Sequence, residues 1–401
     1  MNWVIVTGAY PPDEMGLADY TVLVSEELAA RGDRVWIFAG AGPDTGRSTP
    51  AGVALRRFPA HFGLRALALM SRELGKVPQP RQTLLLYVPQ AFGPRAWMQK
   101  RRFRGVPLSL CLWLQVIGEQ VWTTFFEAAV VAEPGSSRAT RVLAAATRWM
   151  LNLTLRKSSR VMVATPELAK IIREVTGREP ATEWLPVPST LPVRAEKARV
   201  AELRRRLLGE DGETLLGHFS SYRPAMADLL YPMVESLLRD RAKRRLVLIG
   251  QGSEDFAAKC RAAWPELAPQ LMATGNLPAQ HVAEHLAACD VVVEPYLDGV
   301  TTQRTSTMGP LALGCLIVTN DGPWTEPFWR ESGAVALAAG PDVGLLAAKV
   351  EEVLRTRPAL GERAALLYAQ RFSLGKLVDA LASPGESAVI AGDRRREPAA
   401  A

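Results

Sequence analysis

The stretch that decides the fold of this 401-residue chain is Glu294-Pro-Tyr-Leu-Asp-Gly-Val-Thr-Thr-Gln-Arg-Thr-Ser-Thr-Met-Gly-Pro-Leu-Ala-Leu-Gly-Cys-Leu-Ile-Val-Thr319. The stretch predicts a buried strand over 291–294, a loop rich in hydroxyl groups, a short helix from about Thr305, and a second buried strand after Gly314. Such a loop brings backbone N–H groups and a helix N-terminus to one point, where an anion can bind. The loop contains no Lys and the chain has no GxxxxGK[ST] pattern, which excludes a P-loop. The alternative is an ordinary strand–loop–helix unit without a ligand.

The same alternation of apolar runs and amphipathic stretches extends through the chain and predicts parallel sheets covered by helices. The predicted strands are 3–7, 34–39, 82–88, 108–115, 161–164, 215–219, 246–249, 271–273, 291–294, 316–318 and 335–337. The predicted helices are 18–31, 138–157, one that begins at Pro166, 226–239, 254–264, 279–288, 306–313 and 342–356.

Three prolines within residues 186–192 interrupt this alternation and predict an interdomain linker. We therefore predict an α/β protein of two doubly wound Rossmann-like domains that face each other across a cleft. The first domain covers 1–188 and the second 193–368. A helix at about 370–390 is expected to pack back on the first domain, and residues 392–401 are expected to be a disordered tail.

The composition is that of an ordinary globular protein, with 48% hydrophobic and 22% charged residues. The four cysteines are scattered in apolar surroundings without CxxC spacing, which favours reduced core residues of a cytosolic protein over a metal site or disulfide framework. Residues 1–8 lack the basic start of a signal peptide, and the longest apolar run is too short to span a bilayer.

Positive charge is concentrated in the first half of the chain. Residues 1–195 carry 24 basic and 15 acidic side chains, a net charge of +9, whereas the remainder carries 24 and 26. The segment Arg95–Arg104 holds five cations, three large apolar side chains and no acid. It predicts a contact with anionic lipid or an anionic acceptor, and the alternative is a solvated helix face. Nucleic acid is not expected, because no basic-aromatic recognition motif accompanies the segment.

The sequence resembles the family 4 type glycosyltransferases, which have the two-domain GT-B fold. The resemblance covers most of the chain. It rests on the order and spacing of Tyr10-Pro-Pro…Gly16, Val247-Leu-Ile-Gly-Gln-Gly252, Thr274-Gly-Asn-Leu277, Ala288-Cys-Asp-Val-Val-Val-Glu-Pro295 and Ala312-Leu-Gly…Val-Thr319. Within the family, Gly299–Ser306 is similar to the loop of a bacterial branch.

The resemblance implies that a nucleotide-sugar binds mainly to the second domain. Backbone near Leu277 would hold the base, the helix N-terminus at 305–307 the diphosphate, and Arg223 and Arg304 would supply positive charge to the leaving group. The full implied set contains catalytic Glu127, Asp298 and Arg223; donor-binding Gly16, Arg223, Gly250, Asn276, Leu277, Glu294, Asp298, Gly299, Arg304, Thr305, Ser306 and Thr307; and acceptor-side Tyr10, Asp19, Gln90 and Glu127. No metal ligand and no cofactor is implied.

The chain departs from the family pattern at several positions. The family commonly has two glutamates separated by seven residues. Counting from Asp298 as the first position places Ser306 at the second. Counting back from Gly314 instead places Thr301 at the first position and Gly309 at the second, so the second glutamate is missing either way. Leu229 stands where a Lys is usual, and Phe126 and Gln90 stand where related sequences often have His.

We predict an enzyme that moves a sugar from a nucleotide-sugar to an acceptor hydroxyl. The family implies a retaining, metal-independent reaction in polysaccharide, glycolipid or glycoconjugate synthesis. A carbohydrate or lipid-linked acceptor fits the basic first half, and the location would be the cytoplasm, with peripheral contact to the membrane. Two alternatives stay open: a degenerate GT-B protein that binds without catalysis, and a GT-B fold sugar-nucleotide epimerase.

Overall fold

The computed structural model describes residues 1–13, 16–40, 42, 49–58, 62–92, 108–132, 135–356 and 359–382. The basic segment Arg95–Arg104 and the predicted tail at 392–401 lie outside these residues. The chain divides into two compact units. The first contains Met1–Pro186 together with the chain from Leu374, and the second contains Val187–Ser373.

The first unit is built on a seven-stranded parallel sheet of order β3-β2-β1-β4-β5-β6-β7. Its strands are β1 Asn2–Thr7, β2 Arg34–Ala39, β3 Val53–Arg57, β4 Arg81–Tyr87, β5 Val121–Phe125, β6 Ser158–Val163 and β7 Thr182–Trp184. Val4 lies opposite Trp36 on one side and Thr83 on the other. Five of the six residues of β1 and the last five of β4 are buried, as is typical of a parallel sheet that helices cover on both faces.

The described residues of this unit form five helices before β7. They are α1 Gly16–Ala30, α2 Leu64–Leu74, α3 Leu108–Val116, α4 Arg138–Lys157 and α5 Pro166–Thr176. The prediction of a strand at 108–115 is wrong, because this apolar run forms α3. A short apolar run does not by itself distinguish a strand from a buried helix segment. The sheet position beside β4 is instead occupied by β5, where Val121, Thr123 and Thr124 supply the β-branched residues that α3 lacks before its last position.

The second unit has a six-stranded parallel sheet of order β10-β9-β8-β11-β12-β13. Its strands are β8 Thr214–Phe219, β9 Arg244–Ile249, β10 Leu271–Ala273, β11 Val291–Glu294, β12 Ile317–Asn320 and β13 Ala336–Ala338. Its helices are α6 Lys197–Leu208, α7 Pro224–Leu238, α8 Ser253–Ala263, α9 Ala279–Ala288, α10 Thr305–Leu313, α11 Pro327–Ser332, α12 Val343–Thr356 and α13 Leu360–Leu367. The prediction of two Rossmann-like α/β domains is confirmed.

The last described helix, α14 Leu374–Ala382, belongs to the first unit and packs on α1. Arg31, just after α1, donates from Nη1 to Asp379 at 2.6 Å and from Nη2 to the Gly375 carbonyl at 3.0 Å. The Arg160 guanidinium in turn donates to the Ala380 carbonyl at 2.9 Å. These contacts fix the C-terminal helix to the sheet that the N-terminal half of the chain forms.

In each sheet the first strands are added one after another towards one edge, and the chain then crosses back beside its first strand and adds the remaining strands towards the other edge. The reversal occurs between β1 and β4 in the first unit and between β8 and β11 in the second. Ligands of doubly wound sheets bind outside the carboxyl ends of the strands at this reversal. The loops that follow these four strands are therefore the places to look for a site.

Candidate active site

The reversal point of the second sheet brings together the loops after β8 and β11. The Phe219 N–H at the end of β8 donates to Oε1 of Glu294 at the end of β11, at 2.9 Å. Arg223 follows β8 and is the residue before α7, exposed and without an ion pair in the described part of the chain. Residues 296–307 follow β11 and lead into α10. Arg223 and the start of α10 thus lie at the same edge of neighbouring strands.

Tyr296 organises the N-terminus of α10. Its hydroxyl lies 2.7 Å from Oγ of Ser306 and 2.7 Å from Oγ1 of Thr307, and it donates to Oε2 of Glu294 at 3.3 Å. The Arg304 guanidinium lies 5.0 Å from the centroid of the Tyr296 ring, a cation–π distance. The first turn of α10 therefore carries two hydroxyls and an arginine in fixed positions, and its free N–H groups point in the same direction.

Glu294 is fully buried behind this helix turn. Burial raises the pKa of its carboxyl well above the usual range, against the opposing effect of the hydrogen bonds from Phe219, Tyr296 and Ser306. The carboxyl thus braces β8, Tyr296 and α10 from the interior, whereas Asp298 on the loop itself is exposed.

Two residues that the sequence analysis did not select fix the loop between Asp298 and α10. The Asn320 side chain accepts from Tyr296 N and donates to Tyr296 O, both at 2.8 Å. Glu326, buried before α11, accepts from Thr302 N at 3.0 Å, Thr302 Oγ1 at 2.7 Å and Trp329 Nε1 at 2.9 Å. The signal that could have indicated Glu326 is the Pro that follows it, since a polar residue before Pro is typical of a helix start.

Gly299 allows the loop to pack directly on the segment after β12. It has φ +88°, and a Cβ there would lie 2.2 Å from Oγ1 of Thr325 and 2.5 Å from N of Gly322. At Gly322 a Cβ would lie 2.4 Å from the Asp298 carbonyl carbon. The two backbones approach too closely for a side chain at either position without a shift of one of them, which explains why both residues are glycine.

Gly309 explains one departure from the family pattern. It lies in the buried face of α10, where a Cβ would come within 2.7 Å of Cδ1 of Leu191. Counted back from Gly314, this is the position of the second family glutamate. A glutamate side chain does not fit there without displacing Leu191. The close packing of α10 on Leu191 therefore requires a residue without a side chain at this position.

Donor-binding residues were also predicted after β9 and β10, and those after β10 were predicted to hold the base. Gly250 is buried, Asn276 is exposed and Leu277 is half-buried. Leu277 also lines a cavity of about 760 Å³ between α6 and α9, over β9 and β10. The charged and histidine side chains among its lining residues are Arg199, Glu202, Arg206, His281, Glu284 and His285.

His218 on β8 is fully buried. Its Nδ1 lies 2.9 Å from the Tyr222 hydroxyl, while its Nε2 has no hydrogen-bond partner among the described residues. Burial lowers the pKa of the imidazole to about 3, so it is neutral near pH 7.

The predicted acceptor-side residues lie at the reversal point of the first sheet. Tyr10 follows β1; its ring is buried and lies 5.7 Å from the Arg57 guanidinium. Gly16 and Asp19 are exposed in the first turn of α1, and a Cβ at Gly16 would meet nothing within 4 Å. Glu127 follows β5 and is exposed. Gln90 lies in a short 3₁₀ segment after β4, and its side chain is outside the described part of the structure.

The described residues contain no group of three or more His, Cys, Asp or Glu side chains that could hold a metal ion. In the same part of the chain, no helix combines the length and the apolar character that crossing a membrane requires.

Comparisons with known proteins agree with this architecture. A model described as a glycosyl transferase 4-like domain matches residues 15–190, and one described as glycosyl transferases group 1 matches 214–356. A comparison with curated protein sequences found no match.

Among solved structures, the chain is similar to Anabaena HepE in complex with UDP and glucose, with TM-score 0.68, 14% identity, and coverage of 95% of this chain and 98% of that one. It is also similar to WaaG, a glycosyltransferase involved in lipopolysaccharide biosynthesis, with TM-score 0.65, 16% identity, and coverage of 96% and 100%. For sucrose-phosphate synthase from Thermosynechococcus elongatus the TM-score is 0.69, the identity 16%, and the coverage 95% and 97%.

The fold and the placement of the loops define a two-domain GT-B protein. With both family models matched in their proper order, the chain belongs to the family 4 type glycosyltransferases and is an enzyme of that class.

Proposed function

We propose that this glycosyltransferase transfers a sugar from a nucleoside diphosphate sugar to an acceptor hydroxyl, with retention of configuration and without a metal ion. The observation that carries the proposal is the N-terminus of α10. Ser306 and Thr307 are held there by the Tyr296 hydroxyl, and Arg304 lies over the Tyr296 ring. A helix N-terminus with fixed hydroxyls and an arginine suits a diphosphate.

The chemistry requires stabilisation of the charge that develops on the departing nucleoside diphosphate. The dipole of α10, Arg304 and Arg223 together would supply it, because fixed dipoles and cations need no reorganisation as the bond breaks. The leaving phosphate oxygen would accept the proton of the acceptor hydroxyl, so that no histidine is needed. Asp298 and Glu127 are the exposed carboxylates proposed to bind sugar or acceptor hydroxyls.

Two observations support the donor class. HepE, which shares the fold, was solved with UDP and glucose and also with UDP-glucose. In the present chain, Asn276 and Leu277 follow β10, where backbone groups are available to a base. We propose that these residues hold the base and leave its identity to experiment.

We also propose that the enzyme works in the cytoplasm on a carbohydrate or lipid-linked acceptor, with peripheral membrane contact through Arg95–Arg104, in polysaccharide, glycolipid or glycoconjugate synthesis. The four cysteines support a reducing compartment, since all are free thiols and three of them are buried. The net charge of +9 in residues 1–195 supports an anionic or membrane-bound acceptor.

The test is calorimetric titration with UDP, GDP and ADP and their glucose derivatives, with and without EDTA. We expect one nucleoside diphosphate series to bind, EDTA to have no effect, and the matching monophosphate to bind much more weakly. Binding of none of these ligands would contradict the proposal. Conversion of the donor without an acceptor into an isomeric sugar-nucleotide would instead identify an epimerase, and NMR of the product anomer tests retention.

A further inference from the structure

Helix α4 presents an exposed face that combines arginines with large apolar side chains. Of its 20 residues, five are basic and none is acidic. The exposed or half-buried members of the face are Arg138, Arg141, Val142, Ala145, Arg148, Trp149, Asn152 and Arg156. At about 100° per residue all eight fall within an arc of about 120° on the helix. The face is therefore continuous along the helix.

The arginines of this face differ from three arginines on or next to α6 and α7, which are paired. Arg199, Arg205 and Arg239 each pair with a glutamate three or four residues earlier. Within the described part of the chain, the four arginines of the α4 face form no ion pair. Their charge is therefore available to an external anionic surface.

The positions of the charges argue against a purely stabilising role. Arg138 and Arg141 lie in the first turn and a half of α4, where the helix dipole disfavours cations. Ser137 caps this end by accepting from Thr140 N at 3.1 Å. The N-terminus of α4 therefore has an ordinary serine cap, but it carries positive charge where negative charge would stabilise the helix.

Apolar groups are exposed along the same face and on its neighbour. Trp149 is 48% exposed and Val142 69% exposed, and they lie one above the other at a spacing of seven residues. Both lie on the side of the face towards Leu153, whose carbonyl accepts from Gln115 of α3 at 2.8 Å. On α3, Leu112 is 47% and Val116 78% exposed.

We infer that the α4 face, together with Leu112 and Val116, is a docking surface for an anionic lipid bilayer. Unpaired arginines complement lipid phosphates, Trp is favoured at the interface between headgroups and acyl chains, and exposed aliphatic groups gain by entering it. A helix of 20 residues offers a contact about 30 Å long. The surface includes none of the residues Arg95–Arg104, and its test needs no turnover.

The test is co-sedimentation of the full chain with vesicles of phosphatidylcholine alone or with an equal part of phosphatidylglycerol. Each arginine near an anionic surface contributes roughly a factor of five to ten in partitioning, so Arg141→Gln, Arg148→Gln and Arg156→Gln together should weaken binding on the order of 100-fold. The same three changes to Lys should preserve binding. As a matched control, Arg199→Gln, Arg205→Gln and Arg239→Gln should leave it unchanged.

A second measurement reports direct contact. Brominated lipid should quench the part of the tryptophan fluorescence that is lost in Trp149→Phe, while this variant still sediments with anionic vesicles. The inference is overturned if the parent does not bind anionic vesicles, if the α4 glutamine variant binds as the parent does, or if only charge reversal of Lys100, Arg101, Arg102 and Arg104 abolishes binding. Equal far-UV circular dichroism and thermal unfolding of all variants shows that the comparison concerns folded protein.

Discussion

Glu326 provides a test of how the donor loop is held, because it joins the loop to α11 through three hydrogen bonds. Glu326→Ala removes the acceptor of Thr302 N, Thr302 Oγ1 and Trp329 Nε1 at one step. Thr302 is fully buried and Trp329 is 1% exposed, so water does not replace the lost acceptor without local opening. The loop that enters α10 would lose its main anchor on this side.

The magnitude follows from the count of donors. A buried donor that loses its acceptor costs about 1–3 kcal/mol, which gives about 2–6 kcal/mol for Thr302 N and Trp329 Nε1. Part of this is offset, because the native carboxyl is itself desolvated and its pKa is raised by burial. We expect a net loss of about 3 kcal/mol in the free energy of local opening. Glu326→Gln keeps two acceptor contacts with Thr302 and should lose about 1 kcal/mol.

The assay is hydrogen exchange of the backbone amides in a peptide that covers 296–307, followed by mass spectrometry, together with chemical unfolding. A loss of about 3 kcal/mol corresponds to exchange at Thr302 about 150-fold faster in Glu326→Ala, with a much smaller change in Glu326→Gln. Glu331→Ala is the matched control, because Glu331 lies on the same short helix and is exposed. A nucleoside diphosphate should bind more weakly to Glu326→Gln than to the parent protein, and more weakly still to Glu326→Ala.

The reasoning is refuted if exchange in this peptide and the unfolding free energy of Glu326→Ala both match those of Glu331→Ala. Equal, large effects of the Ala and Gln variants would also contradict it, since the amide oxygen should still accept from Thr302.

Three further predictions concern charge, backbone and pH. Arg223→Gln should weaken binding of a nucleoside diphosphate by about 10- to 100-fold in calorimetry, without changing stability, because the residue is exposed and charged hydrogen bonds contribute about 1.5–3 kcal/mol; unchanged affinity would remove Arg223 from the site. Gly299→Ala should lower the melting temperature and donor affinity together, since its Cβ would overlap Thr325 and a positive φ disfavours Ala, and normal values for both would contradict the close packing. Burial lowers the pKa of His218 from 6.5 to about 3, so its contribution to stability is complete above pH 6.5 and is lost as the pH falls, by about 1.4 kcal/mol per pH unit. Between pH 7.5 and 5, the unfolding free energy of His218→Asn should therefore fall by about 2 kcal/mol less than that of the parent protein. An equal fall in both proteins would disprove the assignment.

The sequence predicted the second sheet well because its strands are short apolar runs bounded by turn residues, and the helices between them have clear start signals. The first sheet was harder for a physical reason. β3 and β7 are edge strands of five and three residues with half-buried side chains, and their pattern is too short to distinguish from a loop. α3 is apolar on almost every side, so it lacks the helical periodicity that would have separated it from a strand.

The loop after β11 was predicted from its hydroxyls and its following helix, but its supports were not. Tyr296, Asn320 and Glu326 act through contacts between residues 10 to 24 positions apart. Such pairings depend on which strands become neighbours, and a single sequence contains no periodic signal for them. Residues that could touch a ligand are therefore easier to find from sequence than the buried residues that position them.

The charge departures from the family pattern meet at the donor loop. The family places a cation near position 229 and, counted back from Gly314, carboxylates at positions 301 and 309, where this chain has Leu229, Thr301 and Gly309. Two negative charges and one positive charge of the family pattern are therefore absent. Gly309 also lets α10 pack against Leu191 without a carboxylate in the second turn, where negative charge would oppose a bound diphosphate. Stabilisation of the leaving group then depends on the helix dipole, Arg304 and Arg223, which is why Arg223→Gln is expected to cost more here than in a relative that keeps the lysine.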